Sequence, residues 1–372
     1  MAQRNPFRPS FGVSPLYLAG RQESLRDFQI GLVEGIGSPY RAMLVSGSRG
    51  IGKTVFLNEV EDAARQAGWV VLRAYPDNHL IEQLIQSTIP EALTALGEDQ
   101  TTRTITGASI AGIGSVSTSV ETGQKPVPTL ISKFRELASL VGQHEAGVLI
   151  TVDEVQSVEP ELMHQLATAV QDLIRDEYDI AFVAAGLPLG INNLLQHDGT
   201  TFLRRAERVE LLPVTHEEAR HVIVQTVIDS GKEITEEAAE AAASISQGYP
   251  YLIQLVGSLI WTYASLEQRD EITLHDVRQA HPQIIKRMGT QVHRPALAGV
   301  PDSEVNMLKA MANLMEGNDP VPTGALAKAL GVKPNALSVR RANLLARELI
   351  VVPKYGYLGF TLPYMREYLL DA

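Results

Sequence analysis

Eight consecutive residues, Gly47-Ser48-Arg49-Gly50-Ile51-Gly52-Lys53-Thr54, have the types and spacing needed to grip a polyphosphate. They fill the pattern G-x-x-x-x-G-K-[ST] completely. Glycines let the backbone turn its N–H groups inward on phosphate oxygens, and a helix starting there adds positive potential. Lys53 would reach the β- and γ-phosphates of a nucleoside triphosphate, helping both binding and catalysis. The Thr54 hydroxyl would ligate magnesium. A glycine-rich turn can match by chance, but here the setting is also right. The apolar run Ala42-Met43-Leu44-Val45 predicts a buried strand leading into the loop, and 53–67 reads as a helix ended by Gly68.

A second constellation follows. Gly147 to Val152 reads as another buried strand, and it ends in Asp153-Glu154. Asp153 at that place would hold the magnesium shell, and Glu154 would polarise the attacking water as a general base. The bland reading is a solvated acidic turn. Two such signals in the right order support each other, and the expected ligands are ATP and Mg2+.

The elements that must position these groups can be read from periodicity. A helix over 23–36 carries Leu25, Phe28, Leu32 and Ile36 at helical spacing, and further strands are predicted at 69–72, 180–185 and 209–212. Helices are predicted at about 78–96, 129–141 and 162–175. Strands alternating with helices imply a parallel sheet covered on both faces. The stretch 97–128 is rich in Thr, Ser and Gly and reads as an insert, a hairpin or a disordered segment. After Pro213 the pattern is purely helical to about Met288. Within it, Tyr249 to Leu266 is apolar, but Gln254, Ser258 and Thr262 interrupt it and no positive flank is present, so a buried helix is expected and no membrane span.

The last segment reads differently. Helices are expected at 304–315 and 323–330, and a third opens at Pro334, followed by a strand, a turn at Lys354-Tyr355-Gly356 and a return strand. That is the layout of a winged helix-turn-helix, with the third helix as reader and the turn as wing. From Lys333 to Arg347 there are four basic residues and no acid, in a chain whose formal net charge is -11. Ser338, Arg340, Arg341, Asn343 and Lys354 are therefore the candidates for contact with double-stranded DNA. Winged helices also dock on proteins, and that reading stays open.

Phosphate loop, acid pair, helical lid and winged helix, in that order, resemble the AAA+ and STAND superclass of P-loop ATPases. Within it the chain resembles the origin-recognition and cell-division-control type initiators and their bacterial relatives. The segment Leu18-Ala19-Gly20-Arg21-Gln22-Glu23 resembles the entry motif of that group, whose neighbourhood helps hold the adenine, and this assigns Arg21 to the nucleotide. Gly248-Tyr249-Pro250 resembles the G-x-P motif of STAND ATPases and assigns Pro250 likewise. Arg204 and Arg205 stand where the family places an arginine finger, which implies self-association; ordinary surface charge is the alternative. The chain departs from the family where a polar sensor is usual, since Ala184-Ala185-Gly186 stands there, and the lid offers no sensor arginine. A slow switch fits these departures better than a motor.

Composition bounds the rest. At 372 residues, two or three domains are expected, and the absence of cysteine rules out disulfides and Cys-based zinc sites. The nine histidines fall into no helical ligand pair and are read as surface or packing residues. Residues 1–20 form an extended arm, 21–212 a RecA-like α/β AAA+ core, 213–298 the helical lid and 299–372 the winged helix. The expected protein is a cytoplasmic ATPase switch associated with DNA; the alternative is a signalling or assembly ATPase whose winged helix binds protein.

Overall fold

The computed structural model describes residues 4–10, 12–104 and 127–371. They divide into two compact units, one formed by Glu23–Ser46 and Phe56–Glu210, the other by Met1–Gln22, Gly47–Val55 and Leu211–Ala372.

The first unit is built on a sheet. The chain enters by helix α1 (Gln22–Glu34), strand β1 (Ala42–Gly47), helix α2 (Lys53–Gln66) and strand β2 (Val70–Ala74). It continues through α3 (Leu80–Gln83), α4 (Ile89–Thr104), α5 (Leu130–Gly142), β3 (Val148–Val152), α6 (Pro160–Arg175), β4 (Ile180–Gly186), α7 (Pro188–Gln196) and β5 (Glu207–Leu211). The strands are ordered β2-β3-β4-β1-β5. Parallel registers place Val70 opposite Val148, Val148 opposite Ile180, and Ala42 opposite Phe182. Every residue of β3 and β4 is buried, because helices cover both faces of the centre of a parallel sheet. Leu44, Ile150, Val152 and Phe182 join Phe134 and Leu137 of α5 and Leu166 and Val170 of α6 in one core. That continuous burial is why these strands appear in the sequence as unbroken apolar runs.

One acid is buried with them. The Glu61 carboxylate accepts from Arg73 Nε at 2.6 Å, from Arg65 at 3.1 Å and from the Thr151 hydroxyl at 2.8 Å. Those partners tie α2 to β2 and β3. The helix expected to end near Leu96 runs on as α4 to Thr104, with a π turn at Leu84–Thr88 just before it. Polar but helix-tolerant residues such as Glu98, Gln100 and Arg103 permit this, so the change of composition at Gly97 is not an end of the helix. The hairpin expected in 97–128 falls largely on 105–126, outside the described residues.

The second unit carries α8 (His216–Asp229), β6 (Glu233–Ile234), α9 (Glu236–Ser246), α10 (Pro250–Leu266), β7 (Glu271–Ile272) and α11 (Leu274–Met288). The segment expected to be purely helical thus holds two strands of two residues each, paired in parallel. They are too short to leave a periodic trace. Helix α10 is buried, as its apolar run implies, and the N-terminal arm helps to cover it. Asn5 donates to the Ser258 carbonyl at 2.9 Å and Arg8 N to Gln254 at 2.9 Å. Phe7 packs so closely that a Cβ on Gly257 would lie 2.2 Å from its ring. Among the described residues no helix is long and apolar enough to cross a membrane.

The chain then passes α12 (Arg294–Leu297), α13 (Asp302–Leu314), β8 (Val321–Pro322), α14 (Thr323–Ala329), α15 (Ser338–Ala346), β9 (Ile350–Val351), β10 (Tyr357–Phe360) and α16 (Met365–Asp371). The three strands form a sheet in the order β8-β10-β9, one strand more than the expected pair. The Tyr364 hydroxyl donates to the Ile245 carbonyl at 2.7 Å, joining this module to α9.

His293, in the π turn Gly289–His293, is fully buried with its ring centroid 5.3 Å from that of Tyr368. Burial lowers its pKa from 6.5 to about 4, and the Pro363 backbone offsets this only in part. The folded state therefore keeps the ring neutral while the unfolded chain protonates it. Its contribution to stability is complete above pH 6.5 and is lost as pH falls towards about 4. The loss is at most roughly 3 kcal/mol. Thermal unfolding between pH 7.5 and 5 should show a falling midpoint that is flattened in His293→Phe. An equal slope in the variant would contradict this account.

Candidate active site

The phosphate loop leaves the end of β1 and runs into α2. Gly50 (φ +75°) and Gly52 (φ +97°) adopt left-handed backbone, which an L side chain rarely tolerates and which turns successive N–H groups to one side. Lys53 is buried, and its Nζ donates to the carbonyls of Gly47 at 2.9 Å and Ser48 at 3.0 Å. Ile51 is fully buried and anchors the loop, whereas Arg49 and Thr54 are exposed. The loop thus has the conformation and the cation that a polyphosphate requires, and a hydroxyl at the helix start that suits magnesium.

The lid motif closes on this loop from within the same unit. Tyr249 is buried with its ring against Gly50, where a Cβ would lie 3.1 Å from the Tyr249 hydroxyl. A Cβ on Gly52 would lie 4.0 Å from that of Pro250. Burial raises the Tyr249 pKa, the Ser48 side chain opposes the rise, and the negative charge of Glu348 adds to it. Glu348 follows α15, is itself buried and has φ +56°. The sequence motif singles out Pro250, but the side chain that meets the loop most closely is its neighbour Tyr249. Its partner Gly50 lies so far away in the chain that no local pattern would reveal the contact.

Asp153 and Glu154 follow β3 as expected. Asp153 Oδ1 accepts from Glu154 N at 2.9 Å, and Glu154 has left-handed backbone, φ +51°. A non-glycine residue held there is strained, a condition common at functional positions. Its Oε2 accepts a hydrogen bond from Gln156 Nε2. Gln156 was not among the sequence candidates. Ala184 and Ala185 are fully buried, so the end of β4 offers no polar side chain of its own.

Other candidates occupy more varied settings. Arg21 is buried, and its guanidinium donates to the Leu212 carbonyl; burial lowers its pKa and Glu218 opposes this. Arg204 and Arg205 are exposed on the turn Asp198–Arg205, with Arg204 Nε donating to the Leu195 carbonyl at 2.9 Å. In the C-terminal module, Ser338 and Lys354 are exposed, Arg340 and Arg341 half-buried, and Lys354 Nζ lies 3.9 Å from the centroid of Tyr357. Asn343 donates to the buried Glu304 at 2.7 Å, so its amide serves the packing of α15 on α13. Among the described residues, no group of three or more His, Asp or Glu is placed to hold a metal.

Residues 17–183 match the family model of the AAA ATPase domain, and residues 290–369 match that of a domain of unknown function, DUF8462. No curated protein matches the chain. Among solved structures it is similar to the Walker-type ATPase PABY2304 of Pyrococcus abyssi, at 15% identity over 95% of this chain and 96% of that one, with a TM-score of 0.64. It is also similar to the ORC2 protein of Aeropyrum pernix, solved as ADPNP–ADP complexes, at 17% identity over 98% and 96% of the two chains, with a TM-score of 0.61. The fold and the loop define a P-loop ATPase. More narrowly, residues 17–183 carry an AAA ATPase domain.

The packing around Tyr249 yields a test. Gly248 has φ +68°, and a Cβ there would lie 2.0 Å from the Val214 carbonyl oxygen. Gly248→Ala should therefore cost more than about 2 kcal/mol and weaken nucleotide binding by displacing Tyr249. Gly68→Ala, at φ +82° with nothing within 4 Å, should cost only about 1 kcal/mol. Equal shifts in the two unfolding curves would show that the contact with Val214 is not what fixes Gly248.

Proposed function

We propose that this ATPase is a slow nucleotide-dependent switch that acts on double-stranded DNA through a C-terminal winged helix. The observation that supports the reading is Tyr249, which packs on Gly50 of the phosphate loop and lies within the electrostatic reach of Glu348, directly after α15. A loop that shifts as it takes up phosphates would move Tyr249, and with it the end of the reading helix. Helix α15 is followed by the β9–β10 hairpin, as a reader is by its wing, and it carries Arg340 and Arg341. Arg204 and Arg205, exposed on their turn, are available to a second copy as finger residues. The cytoplasm is the setting this reading implies.

In this reading the loop N–H groups and Lys53 hold the β- and γ-phosphates. Thr54 and Asp153 are the residues that would hold Mg2+, which neutralises phosphate charge when bound. Glu154 takes a proton from water as the water oxygen attacks the γ-phosphorus; the bond to the β-phosphate oxygen breaks, and ADP leaves with the electron pair. With no polar side chain at the end of β4, turnover is slow and the bound state lasts.

Two measurements test this. In titrations with ATP and Mg2+, Lys53→Ala should lose nucleotide binding, whereas Glu154→Gln should keep it and lose about 100-fold or more in kcat. Wild-type turnover in Glu154→Gln would overturn the assignment of the base. Binding of a labelled duplex at low salt should weaken in Arg340→Ala/Arg341→Ala, and the salt dependence should become shallower by about two phosphate contacts. No duplex binding at low salt with ATP would reject the DNA reading. It would favour the protein-binding alternative, which the exposure of Val339 (71%) on α15 and Tyr355 (101%) at the hairpin tip also supports.

A further inference from the structure

Gln156 lies on the short turn Val155–Ser157, just past the acid pair, and both ends of its amide are engaged. Its Oε1 accepts from Leu187 N at 3.0 Å, while its Nε2 donates to Glu154 Oε2. The first bond fixes the second: a backbone N–H must meet the amide oxygen, so the end facing the carboxylate is the NH2 group. Packing fixes the rest of the side chain. A Cβ on Gly190 would lie 2.7 Å from Gln156 Cβ, and one on Gly186 would lie 2.8 Å from its Oε1. Two glycines of separate elements thus leave the groove in which this glutamine lies.

We propose that Gln156 is the positioning residue of the catalytic carboxylate: it holds one oxygen of Glu154 and leaves the other for the attacking water. The inference rests on Glu154 being the base. Gln156 is held by the backbone N–H of Leu187, just past the end of β4, so its amide cannot turn away from the carboxylate without losing that bond. The backbone at Glu154 is held in a rare conformation and its side chain is restrained at one oxygen, so little freedom is left to lose when water is activated.

The test is a kinetic cycle on the full chain. ATP turnover is measured for wild type, Glu154→Gln, Gln156→Ala and the double variant, with the Kd of an N-methylanthraniloyl ATP as the binding control. Gln156→Ala should lower kcat about 10-fold and leave Kd within about twofold. The double variant should be no slower than Glu154→Gln alone, because the two side chains act as one unit. Gln156→Met fills the same groove without an amide, so it should show the same loss of kcat with an unchanged unfolding midpoint. A glutamine that only packs in the groove would be replaced by methionine without that loss. The proposal fails if Gln156→Ala turns over within about twofold of wild type, if the two losses add in full, or if Gln156→Met keeps the wild-type kcat. If Glu154→Gln itself keeps wild-type turnover, the base assignment falls and the proposal with it. An inactive Glu154→Gln beside unchanged Gln156 variants sinks the proposal alone.

Discussion

An ammonium group buried against its own loop is the constraint from which the rest follows. Taking a charged amine out of water costs several kcal/mol unless close partners replace the lost hydration. Lys53 meets that demand with the carbonyls of Gly47 and Ser48, which are among the groups that define the loop. The cation and the curvature of the backbone are therefore one object. The loop can hold this curvature only if Gly50 and Gly52 remain left-handed, and the fully buried Ile51 pins it from below. Phosphate oxygens offer the ammonium stronger partners than carbonyls do, because charge-assisted hydrogen bonds exceed neutral ones.

The same economy appears in the residues that meet the loop and in those that serve the acid pair. Glu154 and Glu348 both sit in left-handed backbone, which costs a non-glycine residue of order 1–3 kcal/mol. Glu154 is followed by the turn that brings Gln156 back onto its own carboxylate. Glu348 is buried after α15 and bears on the tyrosine packed against Gly50.

Much of this was legible in the sequence, for definite reasons. The phosphate loop is contiguous, so its chemistry is written in eight neighbouring residues. The central strands are buried on both faces, so Val148–Val152 and Ile180–Gly186 read as apolar runs. Other features depend on partners distant in the chain. Gln156 acquires its role from Leu187 and two later glycines, and Tyr249 from Gly50. The strands at Glu233–Ile234 and Glu271–Ile272 consist of two residues each and exist only because they meet. Arg21 and Asn343 show the converse. Their types and positions fit ligand contact, yet the Leu212 carbonyl and Glu304 engage them within the fold.

The N-terminal arm shows how far such dependence extends. Phe7 fills the space above Gly257 that a side chain of α10 would otherwise occupy, so one residue of the helix is in effect supplied from two hundred and fifty positions earlier. Positions 7 and 257 cannot drift independently. A larger residue at 257 demands a displaced arm, and loss of the aromatic ring leaves a gap on an otherwise apolar helix. Homologous chains should therefore vary at the two sites in concert, an aromatic ring at one accompanying the absence of a side chain at the other.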